Sequence, residues 1–232
     1  MEHKPEHHQG RHITVEEEKT GEVKEEKNTG RSILITAIII IVIVAILALI
    51  IISTKYLKNN NTVTYNNYVF EKYETNKWMT QQLIKGQLYN IPFYNNPTQV
   101  LDIPIDPNSI SVIRDFSFNT NGTVYVAVDP NESSKIVMAG IEYARLLGTV
   151  YNIYNMNVSS AISRSVPGKP VESPVKTCDD ASTNTLVIYQ FVSDKNLVSI
   201  EGNCILLESK DINESIRVAD AFAFRLLNII QE

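Results

Sequence analysis

Residues 33–52 read ILITAIIIIVIVAILALIII, and this stretch decides how the rest of the chain is arranged. Its twenty residues include no charged side chain, and Thr36 is the only polar one. As an α-helix that rises about 1.5 Å per residue, the stretch extends roughly 30 Å, the thickness of a bilayer's hydrocarbon core. Because lipid offers the backbone no hydrogen-bond partner, a segment in that environment satisfies its own N–H and C=O groups as a helix. The sequence therefore predicts one transmembrane helix over residues 32–53.

The segment before the span is polar and highly charged. Residues 1–31 contain six Lys or Arg and eight Glu side chains, and they show no apolar period that a helix or strand would bury. Such a composition is typical of disordered chain, so we predict a disordered cytoplasmic tail. The tail holds all four histidines of the protein, which could bind a metal ion loosely, although a solvated tail is the favoured interpretation: His3, His7, His8 and His12.

The orientation of the span is predicted from the residues around it. Four Lys or Arg side chains precede the span within about twenty residues and three follow it, which is a weak positive-inside bias. Both cysteines and all five N-x-Ser/Thr sequons follow the span, as is typical of exported domains. The apolar run is longer than that of a signal peptide, and no small-x-small cleavage site follows it. We predict a retained signal anchor in the cell membrane, with the N-terminus in the cytoplasm and the C-terminal domain outside.

The composition of the part that follows the span excludes several kinds of catalytic and binding site. The net charge of the chain is −5 and no basic block occurs, so we predict no nucleic-acid partner. The absence of histidine after residue 12 excludes Ser-His-Asp and Cys-His catalysis in this part, together with every zinc site that uses histidine. Asp179 and Asp180, with Asp129 or Glu201, could bind a hard cation, although turn formation is the favoured interpretation. We predict no cofactor, no metal ligand and no catalytic residue.

Periodicity predicts the elements of the exported part. Residues 54–67 are predicted to form a polar stalk, and residues 68–232 one domain. Apolar side chains at steps of three to five predict helices, the last of them capped by Asp211, at residues 68–89, 133–152 and 212–230. Alternating and β-rich runs predict a hairpin over residues 112–128, with its turn at Asn121-Gly122. They predict further strands at residues 89–93, 100–105, 157–163, 185–192, 197–200 and 204–208.

These elements predict a mixed α/β or α+β domain. It has a sheet of five to seven strands with two main packing helices, at residues 133–152 and 211–230. Both helices directly follow strands, which fits a βαβ crossover as well as a hairpin-plus-helix arrangement. On the first of these helices, Glu142 and Arg145 are expected to face water.

Cys178 and Cys204 are the two cysteines of the chain. In an exported domain such a pair is expected to form a disulfide, and two buried free thiols are the alternative. The bridge would close a loop of about 27 residues and stabilise the fold by roughly 3–4 kcal/mol on the chain-entropy model. A catalytic thiolate needs a base or a positive partner, and the exported part contains no histidine. The predicted role of the pair is therefore structural.

Several short segments resemble a known group of proteins. They are YNIPFYNNPTQVLDIPID at residues 89–106, TVYVAVDPN at 123–131, TCDDASTNTLVIY at 177–189 and EGNCILLE at 201–208. Together they resemble uncharacterised archaeal single-pass membrane-anchored proteins, over most of residues 80–230. The C-x-x-A and Gly-Asn-Cys segments, at Cys178 and Cys204, are the most specific parts. The resemblance implies an archaeal origin, one N-terminal span and an exported domain with a cysteine pair, and it implies no chemistry.

The predicted function follows from location more than from chemistry. We predict a single-pass membrane-anchored extracytoplasmic domain that binds or assembles with another protein of the cell envelope, so that its partners are the lipid bilayer and an envelope protein. The absence of histidine, Gly-rich loops and metal-ligand spacing in the exported part favours a binding role over an enzymatic one. The alternatives are an anchored hydrolase that uses carboxylates or a Ser-Lys pair, and a sensor of a small ligand or ion.

Overall fold

The computed structural model describes residues 29–73, 76–119, 121–168 and 173–231. Nearly all of the predicted tail, including its four histidines, lies outside the described residues. The chain divides into two compact units, Met1–Thr54 and Lys55–Glu232, which are described in turn.

The first unit contains most of α1 (Thr29–Asn60). Within Gly30–Lys55 of this helix, an 18-residue window has a mean hydropathy of 3.7, and none of that window is buried within the structure. Among the described residues this is the one helix that is long and apolar enough to cross a membrane. Thr36 donates its hydroxyl hydrogen to the Ser32 carbonyl at 2.7 Å, so the one polar side chain of residues 33–52 is satisfied inside the helix. The predicted membrane-spanning helix is therefore present, and it continues into the predicted stalk.

The second unit begins with an antiparallel sheet of four strands, in the order β1-β2-β3-β4. The strands are β1 (Thr62–Tyr65), β2 (Tyr68–Lys72), β3 (Trp78–Ile84) and β4 (Gln87–Phe93). The turn after β1 is Asn66-Asn67, with φ of 45° and 67°, and the turn after β3 is Lys85-Gly86, with φ of 49° and 83°. Two consecutive left-handed residues give the tight hairpin turn that matches the twist of the strands.

The helix predicted over residues 68–89 is therefore wrong. Its apolar residues alternate along strands instead: Phe70 and Trp78 are buried, whereas Val69 is 47% exposed. Phe70 lies opposite Thr80, and Thr80 lies opposite Ile91, so the buried positions line up across three strands. The spacing of three to five arose because two turns interrupt the period of two, and a single sequence window does not separate these patterns.

A second correction concerns residues 107–119, which form α2 (Pro107–Asn119). The first arm of the hairpin predicted over residues 112–128 is thus helical, and only the second arm is a strand. Ile110, Ile113 and Phe116 are buried at steps of three, as one face of a helix requires. Asp106 begins the helix, because its Oδ1 accepts a hydrogen bond from the Asn108 N–H at 2.9 Å.

The strand predicted at residues 100–105 is reduced to one bridge, in which Ile105 pairs in parallel with Val198. Pro97–Gln99 forms a short 3₁₀ turn before it. Pro104 lacks an N–H, and its carbonyl accepts a hydrogen bond from the Val198 N–H at 3.0 Å. Because proline has no N–H to donate to a sheet, Pro104 limits this segment to a single pairing.

The larger sheet has five strands in the order β6-β5-β7-β9-β8. They are β5 (Thr123–Val128), β6 (Asn157–Ile162), β7 (Thr185–Val192), β8 (Leu197–Glu201) and β9 (Cys204–Ser209). Only β8 runs antiparallel to its neighbour β9, and the other three pairings are parallel. The predicted strands at residues 157–163, 185–192, 197–200 and 204–208 are confirmed.

Two helices cover one face of this sheet, α3 (Ser134–Leu147) after β5 and α4 (Glu214–Leu226) after β9. Ser133 caps α3 by accepting a hydrogen bond from the Lys135 N–H. Asp211 Oδ1 accepts hydrogen bonds from the N–H groups of Asn213 and Glu214 at 2.7 and 3.1 Å, which confirms its predicted capping role. The mixed domain with two main packing helices is therefore confirmed, with the antiparallel sheet as an addition that the sequence did not predict.

The two sheets share one core through α4. The ring centroid of Phe224 lies 5.6 Å from that of Phe70 and 4.5 Å from that of Phe93, and all three side chains are fully buried. Aromatic contacts of this kind contribute roughly 0.5–1.5 kcal/mol beyond the burial of their area. The antiparallel sheet is thus held against the helices by side chains of β2, β4 and α4.

Candidate functional site

The predicted site residues, Cys178 and Cys204, are joined in a disulfide, with Cα atoms 5.2 Å apart. Cys204 opens β9 and is fully buried in a small cluster with Ala127, Ala161 and Val187, on the face of the larger sheet that the helices leave open. Cys178 opens a short 3₁₀ turn, Cys178–Asp180. The bridge therefore holds the long connection between β6 and β7 against the sheet.

The predicted acidic candidates have ordinary structural partners. Asp180 Oδ2 accepts a hydrogen bond from the Thr177 N–H at 2.9 Å, and Lys176 Nζ lies 3.3 Å from its Oδ1. Asp129 forms an ion pair of 3.0 Å with Arg164, and the hydrogen bond from Arg164 is the main cause that lowers the Asp129 pKa. Among the described residues, no group of three or more His, Cys, Asp or Glu side chains could hold a metal ion. The structure thus shows turn and capping roles for Asp129 and Asp180.

The expectation that Glu142 and Arg145 face water is wrong. Glu142 is 3% exposed, and Arg145 Nη2 donates hydrogen bonds to Glu142 Oε2 and to the Pro92 carbonyl of β4. Lys77 Nζ lies 3.9 Å from the other Glu142 oxygen. Burial raises the Glu142 pKa, and the charges of Arg145 and Lys77 partly oppose that rise. These side chains join α3 to the antiparallel sheet.

Asp220 is a second buried acid, and sequence reasoning missed it. Its Oδ2 accepts hydrogen bonds from the N–H and the Nδ2 of Asn95, at 2.7 and 2.9 Å. Its Oδ1 is buried and has no hydrogen-bond partner in the described part of the chain. Burial raises the Asp220 pKa to about 8, and the negative charge of Glu142 acts in the same direction. A usable signal existed, because Asp220 lies four residues from both Ile216 and Phe224 on the apolar face of α4.

The outer face of the antiparallel sheet exposes apolar side chains of the second unit. We define it by the outward residues of three strands: Val69, Glu71, Met79, Gln81, Leu83, Leu88 and Asn90. Leu83 and Leu88 lie opposite each other and are 73% and 59% exposed. Gln81 Nε2 donates a hydrogen bond of 3.1 Å to Asn90 Oδ1. A shallow groove of about 280 Å³ follows this face beside Tyr68 and Tyr73.

Leu83 and Leu88 depart from the usual pattern of an antiparallel sheet. Antiparallel sheets normally turn polar residues to the side that faces water, and exposed apolar patches on soluble surfaces mark interaction sites. Sequence reasoning did not find the outer face because it predicted a helix over residues 68–89. The outer face is therefore the candidate binding surface.

Comparison of the chain with known protein families, curated proteins and solved structures finds no match.

Proposed function

We propose that this protein is a single-pass membrane-anchored domain, displayed outside the cytoplasm, that binds a protein of the cell envelope through its outer face. The observation that carries the proposal is the Cys178–Cys204 disulfide in a chain that also has one long apolar helix near its N-terminus. Structural disulfides form and persist in oxidising compartments and are rare in the cytosol. The disulfide, in a domain that follows a predicted membrane span, therefore supports an exported location for that domain.

The outer face supports the binding part of this proposal. Exposed Leu and Val side chains lie beside the hydrogen-bonded amides of Gln81 and Asn90, so the surface offers apolar contact together with directed hydrogen bonds. Protein interfaces combine an apolar centre with a polar rim in this manner.

The sequence resemblance also predicts that the chain belongs to an archaeal group of membrane-anchored proteins, and this stays a prediction.

The orientation is testable on intact cells. We expect protease added outside to digest the C-terminal domain, and we expect a non-reducing peptide map to recover the peptides of Cys178 and Cys204 as one linked species. Permeabilised cells are the control, since protease then reaches both sides of the membrane. Protection of the domain in intact cells, with digestion only after permeabilisation, would contradict the exported location.

The binding surface is testable by photo-cross-linking. A photoreactive phenylalanine analogue placed at Leu83 or Leu88 in native membranes is expected to form a discrete adduct with one partner protein. The same substitution at Leu101, which is 50% exposed outside the antiparallel sheet, is the matched control and is expected to give no such adduct. Because all three positions are exposed, stability should change by less than about 0.5 kcal/mol. Equal adducts at Leu101, or none at the two sheet positions, would count against the outer face.

The hydrolase alternative finds less support. The two buried acids, Glu142 and Asp220, are bonded to Arg145 and Asn95, and neither lines the groove beside the outer face. Among the described residues, no hydrogen bond joins a Ser hydroxyl to a Lys ammonium group. Turnover of an ester, peptide or glycan substrate that is lost on Glu142→Gln would restore this alternative.

A further inference from the structure

A cleft of about 330 Å³ lies between α2 and the chain that follows α4. A smaller cleft of about 140 Å³ adjoins it, since both are lined by Pro107, Ile110 and Arg225. The larger cleft is completed by polar and apolar side chains of both segments: Ser111, Arg114, Asn228, Ile230 and Gln231. Two arginines thus line one cleft.

These two arginines differ from the others in the domain. Five arginines follow the span. Three of them pair with carboxylates at 3.0 Å or less: Arg145 with Glu142, Arg164 with Asp129, and Arg217 with Asp102 and Glu214. Arg114 and Arg225 make no ion pair with any carboxylate in the described part of the chain. The net charge of the protein is −5, yet the two arginines after the span that form no ion pair with a described residue lie in the same cleft.

Neutral oxygen atoms lie beside both side chains. Arg225 Nη1 donates a hydrogen bond to the Gln231 carbonyl. Burial raises the pKa of the Tyr154 hydroxyl and Arg114 opposes that rise, while the hydroxyl donates a hydrogen bond of 2.8 Å to the Leu226 carbonyl at the end of α4. A guanidinium carries five N–H donors, so each arginine keeps donors for a further acceptor. The cleft is therefore lined by two guanidinium groups that have donors to spare.

We propose that this cleft binds the phosphate group of an amphipathic phosphate monoester. Two guanidinium groups carry a charge of +2, which matches the roughly −1.5 to −2 of a phosphate monoester at neutral pH better than the single charge of a carboxylate. The planar guanidinium fork donates paired hydrogen bonds to phosphate oxygens. Ser111 and Asn228 add polar groups beside them, and Ile110, Ile230 and Pro107 offer apolar contact to the body of the ligand. This site does not depend on the proposed envelope function.

The test uses the full chain in nanodiscs of phosphatidylcholine, titrated with hexyl phosphate. Calorimetry is expected to show saturable binding, which weakens as salt is raised because exposed charges are screened. Arg114→Gln and Arg225→Gln are each expected to weaken binding at least roughly tenfold. Arg114→Lys keeps the positive charge but lacks the planar guanidinium, so its affinity for hexyl phosphate should lie between those of the natural chain and Arg114→Gln. Arg164→Gln is the matched control and should bind like the natural chain, since Arg164 pairs with Asp129 and does not line the cleft.

Further ligands identify what the cleft recognises. Inorganic phosphate should bind more weakly than hexyl phosphate, and hexanol should not compete, because the phosphate group and the apolar body both contribute. Nanodiscs that contain phosphatidic acid, which is a lipid phosphate monoester, distinguish a lipid source from a soluble one. Weaker binding of hexyl phosphate there assigns the site to lipid headgroups, and unchanged binding assigns it to a soluble ligand.

Three outcomes would overturn the proposal. The first is no saturable binding at millimolar hexyl phosphate, and the second is equal binding by the Arg114→Gln and Arg225→Gln variants. The third is binding that appears only in the Glu232→Gln variant, because the two arginines would then pair with a carboxylate of the chain itself. Glu232 lies outside the described residues. Circular dichroism of each variant confirms that it is folded before its titration is interpreted.

Discussion

Replacement of Asp220 by asparagine is expected to remove a loss of stability that the natural domain shows as the pH rises from about 4 to about 8. The folded carboxyl has its pKa raised to about 8, mainly by burial, whereas an aspartate in an unfolded chain has a pKa of about 3.9. Between these values the folded domain holds a proton that the unfolded chain has released. The stabilisation that the Asp220 carboxyl contributes is fully present below about pH 4. As the pH rises further, it falls by up to about 1.4 kcal/mol per pH unit until the pH passes the pKa of the folded state.

Asparagine suits the site because it preserves the contact with Asn95. Its carbonyl oxygen can accept the two hydrogen bonds that Asp220 Oδ2 now accepts, at 2.7 and 2.9 Å. Its NH₂ group then lies where Oδ1 has no partner, and a buried donor without a partner costs about 1–3 kcal/mol. That cost does not vary with pH. The slope of stability against pH is therefore the diagnostic quantity, and the stability at a single pH is not.

Urea unfolding of the full chain in detergent measures this slope. The fluorescence of Trp78, the one tryptophan of the chain, reports the transition because its side chain is 6% exposed in the folded domain. Asp115→Asn is the matched control, since Asp115 is exposed on α2. The variant of Asp220 should show a flatter dependence than both the natural chain and the control. Equal slopes for all three proteins would mean that the folded Asp220 carboxyl is already ionised at neutral pH.

The parts of the fold that depend on one local pattern could be predicted from the sequence. The span follows from uniform apolarity, and α4 follows from a broad apolar face with a capping residue at Asp211. The strands β7 and β9 follow from β-rich runs between turn residues. The cysteine pair followed from the compartment, because an exported domain with two cysteines is expected to join them. In each case the local pattern and the tertiary environment favour the same structure.

The remainder could not be predicted because two patterns competed. The run Phe116-Ser-Phe118 alternates like a strand, yet Phe116 is buried in a helix face and Phe118 is 85% exposed. The burial of Glu142 depends on Lys77 and the Pro92 carbonyl, which the antiparallel sheet brings to α3. Because residues 68–89 were predicted to form a helix, the sequence did not predict that these groups lie together. The outer face was missed for the same reason.

Removal of the disulfide is expected to destabilise the domain by about 3–4 kcal/mol, because the bridge closes a loop between cysteines 26 residues apart and so limits the unfolded chain. Cys178→Ala is the sharper variant. Cys178 is only partly buried, whereas Cys204 is fully buried among Ala127, Ala161 and Val187. The single change therefore removes the cross-link and leaves the buried side chain in place. The natural chain under reducing conditions should lose a similar amount of stability.

The double variant Cys178→Ala/Cys204→Ala separates the cross-link from packing. Deletion of the buried sulfur adds a cavity cost, which for small core deletions is about 1 kcal/mol, so the double variant should be slightly less stable than the single one. Urea unfolding of the three proteins measures both differences. A loss below about 1 kcal/mol in Cys178→Ala would show that the bridge does not restrict the unfolded chain. It would also weaken the argument for an oxidising location, because the domain would then be equally stable in a compartment where the disulfide does not form.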